Sequence, residues 1–460
     1  MNRYKGKHFG ILGLSIEGMD TAAFLLGKGV SITCCDRRGR DALNGAYQEL
    51  ADLGVQFRLG DTYLDHLEDF DAVVRTPGMS PRLPELVSFR QGGGVVTSLT
   101  KLFFDEVHAP VIGVTGTKGK GTTSTLIARM LEADGKRVHL GGNVGVPLLS
   151  RVDQIAPDDW VVLELSSFQL EDLTQSPHIA VVLRITQEHL ANFDRLATNF
   201  HPTKKAYVNA KKSIVRYQTE TDIAVVNKDD PTAKLFTKET KAKRYFFSMA
   251  DTSADAYVKD HAVFIRTDRG TQKLCDRASV KLRGDHNLEN IAAASLVART
   301  AGVSYDAIIK AANSFSGLEH RLEIVRNLRG VMYVNDTFST VPETTIAAIK
   351  SFSKPLILIV GGSEKGSDFT DMGIEIAKSR VKVLLVIGDM TQRILDAVHH
   401  AGYKGKIITG LGTMKDIVQT AAGEARSGDV VVLSPACASF DMFANYKQRG
   451  AFFKQEIHRL

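Results

Sequence analysis

From Val111 to Thr123 the chain reads Val-Ile-Gly-Val-Thr-Gly-Thr-Lys-Gly-Lys-Gly-Thr-Thr. A β-branched run leads into Gly116, Gly119 and Gly121, with Thr117 and Lys118 between them, Lys120 set among the glycines, and Thr122 and Thr123 behind. Glycines at these places let backbone N–H groups close around phosphate oxygens, where a Cβ would obstruct the turn. A helix that begins here adds its positive end, and Lys120 adds a mobile charge for the outer phosphates. Thr122 or Thr123 offers a hydroxyl to Mg²⁺. The spelling departs from a strict phosphate loop: Val114 stands where the first glycine belongs, and Gly121 follows the lysine in place of Ser or Thr. A bare glycine turn is the alternative, but Lys-Gly-Thr-Thr at a helix start serves no packing purpose.

Two more groups extend this chemistry. Glu164 and His189 each close a predicted strand, residues 161–165 and 179–185. In open α/β sheets ligands bind at that edge. A carboxylate and an imidazole beside a nucleotide loop suggest metal ligation. Taken singly, Glu164 has the alternative of a helix cap and His189 that of a surface residue, and the pair makes metal ligation the better reading. A second glycine turn, Gly13-Leu14-Ser15-Ile16-Glu17-Gly18, lies between a predicted strand (9–14) and helix (21–26). The next predicted strand, 30–35, ends at Asp36-Arg37-Arg38. An acid after the second strand fits a nucleotide-binding βαβ unit, but Gly-x-x-x-x-Gly is not the dinucleotide fingerprint, so a working site and a bare turn both stay open.

The elements that must carry these residues alternate. Strands are predicted at 72–75, 111–115, 161–165, 179–185 and 224–226, with helices from Leu126 to Gly135 and over 206–215 and 290–300. In the last part, strands at 331–334, 356–360, 383–387, 407–409 and 430–433 are separated by helices, one over 344–352. The pattern predicts parallel sheets covered by helices on both faces. With 460 residues, the chain is expected to form three α/β domains, 1–108, 109–317 and 318–460.

Composition narrows the partners. Hydrophobic residues make up 43% and charged residues 24%, as in ordinary globular proteins. Net charge is +6, dispersed except for a patch at Lys204, Lys205, Lys211 and Lys212. Without a basic stripe interleaved with aromatics, this favours anionic small molecules over nucleic acid. Cys34, Cys35, Cys275 and Cys437 have no metal-ligand spacing and read as free thiols of a reducing compartment. With no signal peptide and no membrane-length apolar run, a cytoplasmic protein without membrane partners is expected.

Seven motifs occur in order: Gly-Thr-Lys-Gly-Lys-Gly-Thr, Glu-Leu-Ser-Ser-Phe-Gln-Leu-Glu, Glu-His-Leu, Asp-His-Asn-x-x-Asn, His-Arg, Asn-Asp-Thr and Leu-Ser-Pro-Ala-Cys-Ala-Ser-Phe-Asp. Together they resemble the Mur ligase family of ATP-dependent amide-bond-forming ligases, over essentially the whole chain. The resemblance implies a Rossmann-like sheet, a P-loop ATPase-like sheet and a second Rossmann-like sheet. It implies ATP and Mg²⁺, a UDP-linked muramoyl acceptor, an amino acid and a monomer. Leu433 to Asp441, with Phe443, Tyr446 and Arg449-Gly450, is similar to the branch that adds D-glutamate.

By the same resemblance Thr122 and Glu164 hold one metal, and His189 the second with Lys211 as a carbamate. Asn287 and Asn290 face the adenine side. Arg321 and Asp336 reach the nucleotide once the third domain closes. Lys365, Ser439 and Phe440 hold the amino acid, Asn143, Ser166 and His189 meet the acceptor, and Ser15, Asp36 and Arg37 contact the uridine diphosphate. Lys118, Gly121, Ala191-Asn192-Phe193 and Phe338 depart from commoner family spellings. A folylpolyglutamate-type or other Mur-type ligase is the nearest rival. A nicotinamide-dependent dehydrogenase would use only the N-terminal turn, and a P-loop regulatory ATPase would need no amino acid.

Overall fold

The computed structural model describes residues 4–43, 45–143, 146–186, 199–268, 270–282, 284–364 and 367–460. Strands β1 (His8–Leu12), β2 (Ser31–Asp36), β3 (Gln56–Leu59), β4 (Ala72–Arg75) and β5 (Val95–Ser98) form a parallel sheet in the order β3-β2-β1-β4-β5. The order reverses beside β1, so Gly13 to Gly18 lies at the switch point, the edge where such sheets bind ligands.

The central sheet has nine strands: β6 (Val111–Thr115), β7 (Val138–Gly142), β8 (Trp160–Glu164), β9 (Ile179–Val182), β10 (Ile223–Asn227), β11 (Lys243–Ser248), β12 (Ala256–Lys259), β13 (Ala262–Thr267) and β14 (Gly270–Asp276). Its order is β14-β13-β12-β11-β10-β9-β6-β8-β7. The phosphate-loop strand β6 is therefore central, flanked by β8 and β9. β6 and β8 are wholly buried but for Trp160, as apolar runs covered on both faces must be. The chain's contacts divide into two compact units, residues 1–280 with 285–314, and residues 281–284 with 315–460. The first two sheets share the first unit. One continuous core runs from Ala72, Val74 and Phe103 to Leu149, Val161 and Leu163.

The second unit holds β15 (Glu323–Leu328), β16 (Val331–Asn335), β17 (Leu356–Gly361), β18 (Val381–Ile387), β19 (Lys406–Ile408) and β20 (Val430–Leu433), ordered β15-β16-β20-β17-β18-β19. Apolar cores cover both faces, one with Leu358, Val360 and Met372, the other with Ile357, Ile359 and Phe453.

Three expectations need correction. The sheets are not wholly parallel: β12, β13 and β14 pair antiparallel, as do β15 and β16. Asp260-His261 and Arg329-Gly330 take positive φ and make the tight turns between β12 and β13 and between β15 and β16. The helix behind the phosphate loop begins at Lys120, where the Lys-Gly-Thr-Thr run places a helix start, with Gly119 at φ +87° before it, but it ends at Ala133 rather than at Gly135. β9 ends at Val182 rather than Ile185, since residues 183–186 leave the ladder to wrap the loop. Leu183 N donates to Thr115 O (2.9 Å), Thr117 N to Arg184 O (2.8 Å) and Thr186 N to Thr117 Oγ1 (2.8 Å).

Candidate functional site

The phosphate loop is built around Thr117, which is 5% exposed. Its hydroxyl meets Thr186 O (3.1 Å), the Thr186 amide and the Tyr207 hydroxyl (3.0 Å). Lys120 Nζ donates to Thr117 O (2.8 Å), so the lysine folds back over the loop whose phosphates it would meet. A Cβ at Gly119 would lie 2.5 Å from Asn290 Oδ1, and one at Gly116 (φ +155°) 2.7 Å from Leu183 Cβ. Both glycines are thus required by conformation and by close approach. The helix Lys120–Ala133 has no side-chain N-cap, which leaves its first amides for a ligand. Lys118 is exposed, Thr122 half-buried, and Gly121 and Thr123 buried.

Asn290 sits on the helix His286–Thr300. Its Oδ1 accepts from Thr123 Oγ1 (3.3 Å) and its Nδ2 donates to Asn287 Oδ1 (2.8 Å). The Asp-His-Asn-x-x-Asn motif thereby braces the phosphate loop from behind.

Glu164 ends β8 in register with Val114 of β6 and is 2% exposed. Asn143 Nδ2 donates to its Oε1 (3.0 Å), and Asn143 N to its backbone oxygen (2.9 Å). Its Oε2 is buried and accepts no hydrogen bond from any described residue. A buried carboxylate oxygen without a donor is unfavourable unless a cation meets it. An oxygen ligand suits Mg²⁺, so the donor present here fits that ion. Two residues on, Ser166 caps the single helical turn Ser167–Leu170 in a reciprocal pair with Gln169.

On the helix Lys204–Arg216, Lys204 and Lys205 are exposed, but Lys211 departs from that basic patch. Its side chain is 1% exposed, and Nζ donates to Gly116 O (3.0 Å) and Thr115 Oγ1 (3.2 Å) and lies 4.9 Å from the Tyr207 ring centre. The lysine therefore points under the phosphate loop. His189 and Lys365 lie outside the described residues.

At the N-terminal switch point Asp36 is 5% exposed. Its Oδ2 accepts from Leu14 N (2.7 Å), and its Oδ1 from Arg38 N (2.9 Å) and Nε (3.0 Å). Burial opposes its charge, but these donors hold its carboxyl below the usual range. Ser15 and Arg37 are exposed beside it. The ion pair with Asp36 is made by Arg38.

In the second unit Asp336 follows β16. Its Oδ2 accepts from Ser339 (2.6 Å) and Ser434 (2.7 Å), and its Oδ1 from Leu322 N (3.0 Å). Burial outweighs these donors and pushes its carboxyl up to about 6. Arg321 lays its guanidinium 3.7 Å from the centre of the Phe338 ring, so the Phe338 departure acquires a local partner. Ser439 is buried, while Phe440 is 73% exposed with its amide on Ser363 Oγ (3.1 Å).

Sequence reasoning named Arg449 only within a motif and missed its role: it is 1% exposed, and its guanidinium donates to Thr337 Oγ1 (2.8 Å) and to the Thr337, Cys437 and Ala438 carbonyls (3.1 Å each). It pins the segment before Ser439. Also missed was Glu319, His320 and Glu323, whose ligand atoms lie within 4.8 Å of one another. Lys454 donates to both carboxylates (2.6 and 2.8 Å), so that cluster already holds its cation.

Comparison with known proteins gives three family models in chain order. A Mur ligase MurD-like N-terminal domain matches residues 7–98, a Mur ligase middle domain 114–298, and a Mur ligase glutamate ligase domain 320–437. The chain is 39% identical to a UDP-N-acetylmuramoylalanine--D-glutamate ligase of Symbiobacterium thermophilum, over 98% of this chain and 97% of that protein. It is 37% identical to one of Ruminiclostridium cellulolyticum, over 99% and 97%. Among solved structures, UDP-N-acetylmuramate-alanine ligase MurC of Thermotoga maritima superposes with a TM-score of 0.61 at 16% identity, over 98% of this chain and 99% of that one. MurF ligase of the same organism in complex with ADP gives 0.56 at 19%, over 100% and 97%. These two likenesses concern the fold.

Proposed function

Because this chain belongs to the Mur ligase family, we propose that it joins D-glutamate to UDP-N-acetylmuramoyl-L-alanine in peptidoglycan precursor synthesis. It is an ATP-dependent ligase. The acceptor carboxylate attacks the γ-phosphate of ATP, giving an acyl phosphate and ADP. The amine of the amino acid then attacks the acyl carbon, phosphate leaves, and the amide forms with loss of the amine proton.

The first step brings two anions together, so the site must supply cations where charge develops. The loop amides of residues 116–122 hold the phosphates, and Lys120 moves from Thr117 O to the γ-phosphate. Thr122, Glu164, His189 and a carbamate of Lys211 are the groups proposed to hold Mg²⁺, which supplies further positive charge beside the phosphates when bound. Asn143 orients Glu164. Ser15, Asp36, Arg37 and Ser166 are assigned to the acceptor, Lys365, Ser439 and Phe440 to the amino acid, and Asn287, Asn290, Arg321 and Asp336 to the nucleotide. The segments 1–108, 109–317 and 318–460 would divide these tasks in that order, in a cytoplasmic monomer. Among the described residues no helix is long and apolar enough to cross a membrane.

The observation that carries this reading is Glu164: a buried carboxylate one strand from the phosphate loop, one oxygen held by Asn143 and the other without a donor among the described residues. The test is phosphate release from ATP with UDP-N-acetylmuramoyl-L-alanine across a panel of D- and L-amino acids. Release that depends on both the acceptor and D-glutamate supports the reading. ATP hydrolysis indifferent to the amino acid, or preference for another one, refutes it.

A further inference from the structure

The chain from Ser166 to Asp172 faces the N-terminal sheet with successive side chains. Gln169 Nε2 donates to Glu17 Oε1 (2.9 Å), Arg82 pairs with Glu171, and buried Arg75 bonds Asp172 (Nε to Oδ2, 2.5 Å) and Phe168 O (3.3 Å). Two of these contacts are ion pairs that simply fasten the strip. The Gln169–Glu17 contact is different, because Gln169 is also half of the cap that shapes Ser166. Gln169 Oε1 accepts from Ser166 N (3.0 Å), and Ser166 Oγ accepts from Gln169 N (3.2 Å).

An amide side chain has a donor end and an acceptor end, and only its surroundings decide which way it points. Gln169 is 3% exposed, so both ends must be satisfied inside the protein. Ser166 N needs the oxygen end. A carboxylate at Glu17 only accepts, and so fixes the NH₂ end toward itself. Turned over, the amide would set its NH₂ against the Ser166 N–H and its oxygen against the Glu17 carboxylate. Glu17 sits in the first turn of the helix Ile16–Gly27, inside the Gly13–Gly18 glycine turn, 152 residues from Gln169. Burial raises its pKa, with Asp20 acting in the same direction and Arg75 against it.

We propose that Glu17 is a positioning residue for the acceptor: acting through Gln169, it holds the Ser166 hydroxyl and the turn behind Glu164 in their working geometry. The inference rests on the assignment of Ser166 to the acceptor. It links the N-terminal glycine turn to the turn that follows β8 through a single oriented amide. Because β8 itself is held by its ladders to β6 and β7, loss of Glu17 displaces Ser166 far more than Glu164. Arg75 and Arg82 still fasten the strip, so the fold survives.

The test is steady-state kinetics of phosphate release with UDP-N-acetylmuramoyl-L-alanine, D-glutamate and ATP, for Glu17→Ala, Glu17→Gln, Gln169→Ala and the double variant. Leaving a buried donor without its acceptor should raise the acceptor KM about five- to thirtyfold in Glu17→Ala. The ATP KM and kcat should stay within about twofold. Glu17→Gln keeps an acceptor oxygen and should recover most of the loss. In the Gln169→Ala background, Glu17→Ala should add nothing, because its route is already cut. An unchanged acceptor KM in Glu17→Ala, or an undiminished effect of Glu17→Ala without Gln169, overturns the inference and leaves the activity intact. A wild-type protein that ignores this acceptor overturns the functional reading, and this inference with it.

Discussion

Asp336→Asn should remove a pH dependence that is built into the second unit. The Asp336 carboxyl ionises at about 6 in the folded chain, against roughly 3.9 for an aspartate in water. Below both values the group is protonated in either state and contributes nothing to pH dependence. Between them the folded chain keeps a proton that the unfolded chain has released, so stability falls as pH rises. Above about 6 the loss is complete. About two pH units at about 1.36 kcal/mol each give a cost of roughly 3 kcal/mol at neutral pH. The asparagine keeps the shape, and Ser339 and Ser434 can turn their hydroxyls to accept from its NH₂, Ser434 having Thr345 Oγ1 at 3.1 Å as a partner. The only tryptophan, Trp160, lies in the central sheet and does not report on this unit. Amide hydrogen exchange of β16 and β20, corrected for intrinsic pH effects, does. The wild type should lose protection between pH 4 and 7 relative to Asp336→Asn, whatever the offset between them at pH 4. A difference that stays constant across that range would show that Asp336 is not held in an elevated state by burial.

Three further outcomes address the first unit. Lys120→Ala should cut turnover on the order of 10²-fold or more with the melting temperature little changed, since its charge matters as the γ-phosphate is attacked; near-normal kcat in the folded variant would exclude this loop as the ATP site. Gly119→Ala forces a methyl to 2.5 Å from Asn290 Oδ1 in a left-handed conformation costing about 1–2 kcal/mol, so ATP KM should rise while a Gly135→Ala control, with open space at its Cβ, leaves KM alone. Lys211→Ala should lose activity and regain part of it with added formate or acetate, because a small anion can fill the space of a carbamate; full activity without rescue would make Lys211 purely structural.

The parts of the site that were legible in the sequence are those whose chemistry is local. Gly116 to Thr123 announces itself because conformation, charge and hydroxyls occur within eight consecutive residues. Glu164 was legible because a buried apolar run that ends in an acid puts that acid at the sheet's ligand-binding edge. The hairpins were not, since their turns are Asp260-His261 and Arg329-Gly330 rather than Asn-Gly, and β14 is largely exposed on its outer half. The Asp36–Arg38 ion pair was not legible either, because Arg37 and Arg38 both follow the acid and only the path of the chain after β2 selects Arg38.

What stayed illegible shares one property: the partners are far apart in sequence. Arg75 and Asp172 are separated by 97 residues, Arg449 and Thr337 by 112, Glu17 and Gln169 by 152. Each places a charged or amide side chain where a carbonyl, hydroxyl or acid from another element is waiting. From the sequence alone a lone arginine at the end of a strand is a solvated residue on base rates; Arg75 is instead fully buried. Lys211 is the sharpest case. Composition put it on a basic surface, the family motif put it at the metal, and the fold buries it under Gly116, where its ammonium is bonded to the loop it is proposed to serve. Carbamate formation turns that ammonium into a nitrogen with a single N–H, so at most one of the bonds to Gly116 O and Thr115 Oγ1 survives it. CO₂ addition therefore costs at least one bond to Gly116 O or Thr115 Oγ1, and formate rescue in Lys211→Ala, where the lysine nitrogen is gone, should proceed without that cost.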